Sequence, residues 1–240
     1  SQLCTKIKIK KNSISTIGHL MAAISGLGIT NIIIKINSVE VPILDGSSKE
    51  FVEQIKYSGI LDQKKTQKIL KIKKKVEYKN GDKYICISPS KSKNLKIDYT
   101  INYQDQLIKK QTLKYTHSVK NFLEIYMSRT FCLQDDLERI FAMGLAKGGS
   151  LDNAIVVQGS KILNENGLRN RHEFVYHKIL DCLGDIMLSG NRIFGHIKTS
   201  QGGHALTNRL LTKFFSDKAN WKLENFENNE NQNENSYKNP

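Results

Sequence analysis

The chain has 240 residues and carries 37 Lys and Arg against 23 Asp and Glu, so its net charge is +14. This length allows one large domain or two small ones with buried cores, which excludes a miniprotein held together by disulfides. Only six of the basic residues are Arg, and Lys, Asn and Ile are abundant along the whole chain, so the charge is weak evidence for a nucleic-acid partner.

The first 25 residues combine features of a signal peptide with those of a folded domain. Lysines at 6, 8, 10 and 11 precede an apolar stretch from 14 to 25. Polar residues interrupt this stretch, and it is shorter than the roughly 18 apolar residues that a spanning helix needs. We therefore expect a soluble chain with a short helix over 16–25. Lys and Ile alternate from 6 to 10 as in a strand, and Ser1 stands in place of Met, so we expect an N-terminal part to be missing.

The segment that follows predicts a small α+β unit. Residues 29–36 form an apolar run typical of a buried strand, and 39–47 have the pattern of a strand end and a turn. Ser48 is placed to open a helix, because the apolar residues Phe51, Val52 and Ile55 then share one face. This unit ends near Leu61.

Strand and helix patterns alternate in the rest of the chain. The Lys-rich stretch 64–75 allows a basic nucleic-acid arm, but its alternation with apolar residues favours a strand with a solvated face. The predicted strands are 68–77, 84–88, 95–103, 154–157 and 193–199. The predicted helices are 117–127, 133–143, 171–188 and 204–215. The end of the chain, 223–240, is mostly Asn, Glu and Gln and is expected to be disordered.

Three histidines stand in patterns that suit chemistry. On a helix, His177 and Asp181 lie one turn apart on one face, with Asp185 a further turn along. Imidazole and carboxylate suit zinc, although the spacing alone favours a surface row of ion pairs. His204 follows two glycines and suits either an acid–base role or a helix cap. The apolar surroundings of His19 favour a core residue.

Several motifs together, in this order, resemble the UDP-3-O-acyl-N-acetylglucosamine deacetylase family, the zinc amidases of lipid A synthesis. The likeness extends from about residue 13 to 221. The motifs are TIGHLMAA (16–23), GLGITN (26–31), EVPILDGSS (40–48), SRTF (128–131), GLAKGGSLDNA (144–154), LNENGLR (163–169), the helix with His177, and GHALTN (203–208).

The resemblance implies an α+β fold of two layered α/β sandwich domains, with the zinc site at their junction. The first domain would span 1–62 and be incomplete, and the second would span 63–222, with an insert at about 133–162 that forms a tunnel for the acyl chain. The implied reaction is the zinc-dependent hydrolysis of the acetamide of UDP-3-O-acyl-N-acetylglucosamine, which gives acetate and a free amine. The implied location is the cytoplasm, which agrees with four cysteines that form no C-x-x-C pair.

The same resemblance assigns site residues. His19, His177 and Asp181 would bind Zn²⁺, which polarises the carbonyl and activates water. The remaining roles are a donor to the oxyanion for Thr130, a positive charge near the substrate for Lys178, the general acid for His204, orientation of that acid for Asp185, and substrate contacts for Phe131, Lys178 and Gly149. The residues expected to line the tunnel are Ile140, Phe141, Leu145 and Ala154, for which the alternative is an ordinary place in the core.

Two departures from the family pattern leave alternatives open. In the family a Glu general base precedes the first zinc histidine, whereas this chain has Gly18 there. The chain also lacks the family's first strands, which predicts either that a separate chain or unread sequence supplies them or that this is a degraded copy. The alternative function is therefore an impaired or inactive descendant that still binds zinc or substrate. A nucleic-acid-binding protein is a third interpretation, disfavoured because no such motif is present.

Overall fold

The computed structural model describes residues 4–63, 65–142, 144 and 146–226. Its helices are α1 (Gly18–Gly26), α2 (Lys49–Ser58), α3 (Val119–Ile125), α4 (Gln134–Ala142), α5 (Glu173–Met187) and α6 (His204–Phe215). Its strands are β1 (Ile7–Ile9), β2 (Asn12–Ile14), β3 (Gln67–Ile72), β4 (Val76–Asn80), β5 (Lys83–Ser88), β6 (Lys96–Asn102), β7 (Lys110–Thr116), β8 (Phe131–Leu133), β9 (Ile155–Gln158), β10 (Lys161–Ile162), β11 (Arg192–Phe194), β12 (His196–Ser200) and β13 (Trp221–Phe226). This mixture confirms the expected α+β class.

A five-stranded sheet in the order β4-β5-β12-β6-β7 carries α5 and α6. Strand β12 runs parallel to β6 and antiparallel to β5. Two three-stranded sheets, β11-β3-β13 and β10-β9-β8, and the hairpin β1-β2 complete the strands. Helix α5 is central, because it packs against α1, α3 and α6 as well as against β6 and β7. Twelve of its fifteen residues are buried, so side chains on α5 face other elements on nearly every side.

Three of the sequence predictions for strands are corrected. Residues 29–36 form no strand; Ile33 is 88% exposed, and within the described residues no strand lies beside this run to pair with it. The predicted strand 68–77 is two strands, β3 and β4, in different sheets. The predicted strand 193–199 is also two strands, β11 and β12, in different sheets. The chain changes sheet at Gly195, where a Cβ atom would lie 2.6 Å from Cγ1 of Ile72. Strand β7 was not predicted, although its exposed residues Lys110, Thr112 and Lys114 alternate with buried or partly buried ones.

The expected disordered tail is wrong over its first four residues. Residues 223–226 belong to β13, which pairs antiparallel with β3 from Trp221↔Ile72 to Phe226↔Gln67. Residues 227–240 lie outside the described part of the chain. The predicted helices are confirmed to within a few residues, except that α1 begins at Gly18 and neither Ser15 nor Thr16 caps it. None of the described helices has the length and apolar character required to cross a membrane.

Candidate metal centre

Two of the predicted ligands lie on the buried face of α5. The spacing of four residues places His177 and Asp181 one turn apart, and Nε2 of His177 lies 3.4 Å from Oδ1 of Asp181. Their side chains are 3% and 7% exposed. The surface ion-pair row that spacing alone favours is therefore wrong, because both groups are in the interior.

The third predicted ligand comes from α1, which crosses α5 closely. The contact depends on a glycine, since a Cβ atom at Gly184 would lie only 2.2 Å from the carbonyl oxygen of Gly18. This approach brings Nε2 of His19 to 3.9 Å from Oδ1 of Asp181. The rings of His19 and His177 meet edge to face, with centroids 5.1 Å apart. One ligand atom from each of the three residues lies within 4.8 Å of the others, so the cluster could hold a metal ion.

Outer contacts orient each of the three predicted ligands. Nδ1–H of His177 donates to the carbonyl of Ser128 at 3.0 Å, which leaves Nε2 free to face the cluster. The hydroxyl of Ser48 donates to the carbonyl of His19 at 2.7 Å. Nζ of Lys178 donates to Oδ2 of Asp181 at 2.7 Å, so Oδ1 is the oxygen that faces the two imidazoles.

Burial sets the charge state of the ligands. Burial, reinforced by the neighbouring His177, lowers the pKa of His19 to about 3. Burial also lowers the pKa of His177. Burial opposes ionisation of Asp181, but His177 and Lys178 outweigh it and hold its pKa well below the usual value. The site therefore presents neutral imidazoles and a carboxylate at neutral pH, the protonation state that metal binding requires.

A second His–Asp pair adjoins the cluster. Nδ1 of His204, the first residue of α6, lies 2.9 and 3.0 Å from the two carboxylate oxygens of Asp185. Nε2 lies on the cluster side, 3.9 Å from Oδ2 of Asp181. Burial opposes protonation of His204, but Asp181 and Asp185 outweigh it and raise its pKa. A partly buried imidazole with a raised pKa is suited to donate a proton.

Thr130 and Gly18 line the same pocket as the three ligands and His204. Thr130 is fixed by its backbone: its N–H donates to Gly46 and its carbonyl accepts from Ile155, each at 2.8 Å. A Cβ atom added at Gly18 would meet only Cε1 of His204, at 3.7 Å. This position therefore has room for a side chain next to His204.

An unpredicted buried ion pair anchors the loop that carries Thr130. Oε1 of Glu173, at the start of α5, accepts from Nε of Arg129 at 2.9 Å and from its backbone N–H at 3.0 Å. Glu173 is completely buried and Arg129 is 6% exposed. Because Ser128 and Thr130 flank Arg129, this pair holds both of them against α5. Arg129 belongs to the SRTF motif, but nothing in the neighbouring sequence indicated Glu173 as its partner.

The predicted substrate contacts lie in different places. The ring of Phe131 packs 5.0 Å from Phe174 and 6.2 Å from His177, measured between centroids, and Lys178 contacts the cluster directly. Gly149 instead lies in an exposed turn and does not line the pocket.

The segment expected to form the acyl tunnel contains α4, β9 and β10. Of the residues expected to line the tunnel, Ile140 is buried, Ala154 is partly buried and Phe141 is 52% exposed. Leu145 lies outside the described residues.

Sequence reasoning gave no site role to four further residues of the pocket, which are Cys4, Thr5, Thr16 and Ile43. The hydroxyl of Thr5 donates to Oδ1 of Asp185, 180 positions away in the sequence. No local pattern indicates a contact over such a separation, so only the folded chain could reveal it.

The family model and the similar proteins all indicate the same family. Residues 1–216 match the family model described as UDP-3-O-acyl N-acetylglycosamine deacetylase. The chain is 42% identical to the UDP-3-O-acyl-N-acetylglucosamine deacetylase of Campylobacter fetus subsp. fetus over 224 residues, which are 93% of this chain and 76% of the relative. It is 43% identical to that of a Nitratiruptor species, covering 88% of this chain and 70% of the relative. It is 42% identical to that of Haemophilus ducreyi, covering 89% and 71%.

Proposed function

Since the chain belongs to the UDP-3-O-acyl-N-acetylglucosamine deacetylase family, we propose that it holds Zn²⁺ with His19, His177 and Asp181. Family membership makes the chain an amide hydrolase, which removes the acetyl group of UDP-3-O-acyl-N-acetylglucosamine in lipid A synthesis. The observation that carries the zinc proposal is the buried cluster of three ligand atoms within 4.8 Å.

The donor set fits zinc in a hydrolytic site. Two imidazoles and one carboxylate are ligands that zinc accepts, and three protein ligands leave one coordination position for water or substrate. Zinc held there would act as a Lewis acid that polarises the acetamide carbonyl and lowers the pKa of a water molecule. Lys178 neutralises part of the charge of Asp181 through their 2.7 Å hydrogen bond and adds positive charge beside the substrate.

Two side chains of this protein would act on the reacting amide. Thr130 lines the pocket, and its hydroxyl would donate to the carbonyl oxygen as negative charge develops there. His204 would donate the proton on Nε2 to the leaving nitrogen, while Asp185 accepts from Nδ1–H and stabilises the imidazolium. The products are acetate and the free amine of the sugar.

The substrate-binding roles and the domain division rest on the family resemblance. Residues 1–62 and 63–222 would form the two domains, with α1 contributing His19 from the first and α5 contributing His177 and Asp181 from the second. Phe131 and Lys178 lie beside the cluster, whereas Gly149 would contact the acylated sugar at the exposed rim. The insert 133–162 would hold the acyl chain, and the exposed ring of Phe141 is available for an apolar contact.

We place the reaction in the cytoplasm. The support is the family and the state of the four cysteines, all of which lie in the described residues and none of which forms a disulfide.

Gly18 favours a second candidate function, an impaired descendant that retains zinc or substrate. A glycine has no group that accepts a proton, and loss of a general base costs about 10²- to 10⁴-fold in rate. The space beside His204 would accept a restored Glu without a backbone clash.

The test combines metal analysis with an acetate-release assay. We expect one zinc per wild-type chain and none in His177→Ala. The control Lys161→Ala, which changes the exposed residue of β10, should retain the zinc. We expect Gly18→Glu to release acetate at least 100-fold faster than the wild type. Equal zinc in His177→Ala would refute the ligand set. Zinc binding without acetate release in either the wild type or Gly18→Glu would favour the second candidate.

A further inference from the structure

Thr5 joins three separate parts of the active site. Its hydroxyl donates to Oδ1 of Asp185 and lies 3.1 Å from Nδ1 of His204. Its carbonyl accepts from the backbone N–H of Ile17 at 3.4 Å, directly before α1. Thr5 is partly buried and lines the pocket with His19 and His204. The residue therefore contacts the segment leading to α1, the end of α5 and the start of α6.

The hydrogen bonds around Nδ1 of His204 have one consistent arrangement. A threonine hydroxyl has one proton to donate and lone pairs that accept. That proton goes to Asp185, whose ionised carboxylate can only accept, so the oxygen of Thr5 faces Nδ1 as an acceptor. Both neighbours of Nδ1 thus accept, which requires that Nδ1 carries a proton. Nε2 is then the nitrogen that exchanges protons, and it lies on the side of the metal-ligand cluster.

Oδ1 of Asp185 has two hydrogen-bond partners, the imidazole of His204 and the hydroxyl of Thr5. The side chain of Asp185 is 5% exposed, so solvent supplies little replacement for a lost hydroxyl. Without Thr5 both carboxylate oxygens would depend on the single Nδ1–H of His204, and the carboxylate could turn about its side-chain torsion. The imidazole that it orients would turn with it.

We propose that Thr5 is a positioning residue for the general acid: it holds Asp185 and His204 so that Nε2 points at the leaving nitrogen. This inference rests on the proposed role of His204. Its competitor is a structural role, in which Thr5 only ties the start of the chain to α5 by the shape of its side chain. The two roles separate on the hydroxyl group, because valine keeps the shape of threonine and serine keeps its hydroxyl.

The experiment compares Thr5→Val with Thr5→Ser in the full chain. We expect Thr5→Val to lower kcat by about 10- to 100-fold, a part of the roughly 10²- to 10⁴-fold that a general acid contributes. KM and zinc content should remain within about twofold. The hydroxyl of Thr5 contacts Asp185 and His204 and not the proposed metal ligands, and the proposed sugar contact Gly149 does not line the pocket that contains Thr5. Thr5→Ser should retain kcat within about threefold. If the wild type is slow, the same pair is made in Gly18→Glu.

A second measurement does not depend on activity. In metal-free protein labelled with ¹⁵N-histidine, at a pH well above the ordinary histidine pKa of about 6.5, the Nδ1–H signal of His204 is identified by its loss in His204→Gln. We expect this signal to be unchanged in Thr5→Ser and shifted or broadened in Thr5→Val.

Three results would overturn the proposal. They are an unchanged Nδ1–H signal in Thr5→Val, an equal loss of kcat in Thr5→Ser, and loss of zinc in Thr5→Val, since the last two indicate a structural role. If no variant or wild-type chain releases acetate while the Nδ1–H signal responds as expected, the catalytic role of His204 fails but the positioning contact stands.

Discussion

Replacing Gly184 by Ala tests whether the crossing of α1 and α5 builds the metal centre. The new Cβ atom would lie 2.2 Å from the carbonyl oxygen of Gly18 and 3.3 Å from the backbone nitrogen of Ala22. Ordinary contact begins near 3.4 Å, and both groups belong to the backbone of a helix, so neither can rotate away. Helix α1 must therefore retreat from α5 by roughly 1 Å.

The expected magnitudes follow from that retreat. Overpacking of this kind costs about 1–3 kcal/mol of unfolding free energy. His19 moves with α1, whereas His177 and Asp181 stay together because both lie on α5. The 3.9 Å separation of His19 from Asp181 then grows, and a misplacement of about 1 Å costs about 100-fold in rate. We expect weaker zinc binding and a turnover lower by that factor.

The assays are urea denaturation, competition for zinc with a chelator of known affinity, and acetate release. The matched control for folding and zinc binding is Gly148→Ala, because a Cβ atom there meets nothing within 4 Å. Unchanged zinc affinity and unchanged stability in Gly184→Ala would refute the reasoning. Lower stability with unchanged zinc affinity would mean that the crossing stabilises the fold without positioning His19.

Three further variants test the surroundings of the site. Arg129→Met leaves the buried carboxylate of Glu173 without its partner and should lower the unfolding free energy by about 3–5 kcal/mol in urea denaturation; a loss below about 1 kcal/mol would contradict the importance of this pair. Burial, aided by Arg192, lowers the pKa of His117 to about 4, below the roughly 6.5 of an unfolded histidine. The contribution of His117 to the stability of the folded state is therefore complete above pH 6.5 and is lost as the pH falls toward 4. His117→Gln should therefore show an acid destabilisation between pH 7 and pH 5 that is smaller than in the wild type by about 2 kcal/mol, and equal slopes would show that His117 is not the group responsible. Gly26→Ala places a Cβ atom 2.2 Å from the ring of Phe122 and should cost about 1–3 kcal/mol, whereas wild-type stability would mean that the ring has room to move.

The sequence predicted helices better than strands, for a physical reason. A helix satisfies its hydrogen bonds locally, so the apolar period and the preceding glycines located α6 at the residues that the structure gives. A strand needs a neighbour, and residues 29–36 have the composition of a buried strand but no described strand beside them. The sheet change at Gly195 likewise depends on the approach of Ile72, which no pattern within residues 193–199 encodes.

In the candidate site, too, local spacing was predictable from the sequence, whereas contacts between distant segments were not. The spacing of His177 and Asp181 shows that they share a helix face, but not whether this face is buried. The face is buried because α1 packs against it, and this close packing depends on Gly18 of α1 and Gly184 of α5. The third histidine therefore could not be paired with them by spacing; the family resemblance indicated it. Thr5 and Glu173 act through contacts between distant segments, and neither spacing nor resemblance indicated their roles. Ser128 belongs to the SRTF motif, but the contact of its carbonyl with His177 also follows only from the fold.

The division of the proposed ligands between two helices would link metal binding to folding. Two of the proposed ligands lie on α5 and the third on α1. An ion that bound all three would favour the docked arrangement of the helices over any separated one, by an amount that grows as RT ln(1 + [L]/Kd). The docked state in turn brings Gly18 beside His204 and brings the segment before α1 within reach of Thr5. Metal affinity, the α1–α5 contact and the orientation of His204 are therefore parts of one equilibrium, and a defect in packing at Gly184 should appear as a defect in chemistry.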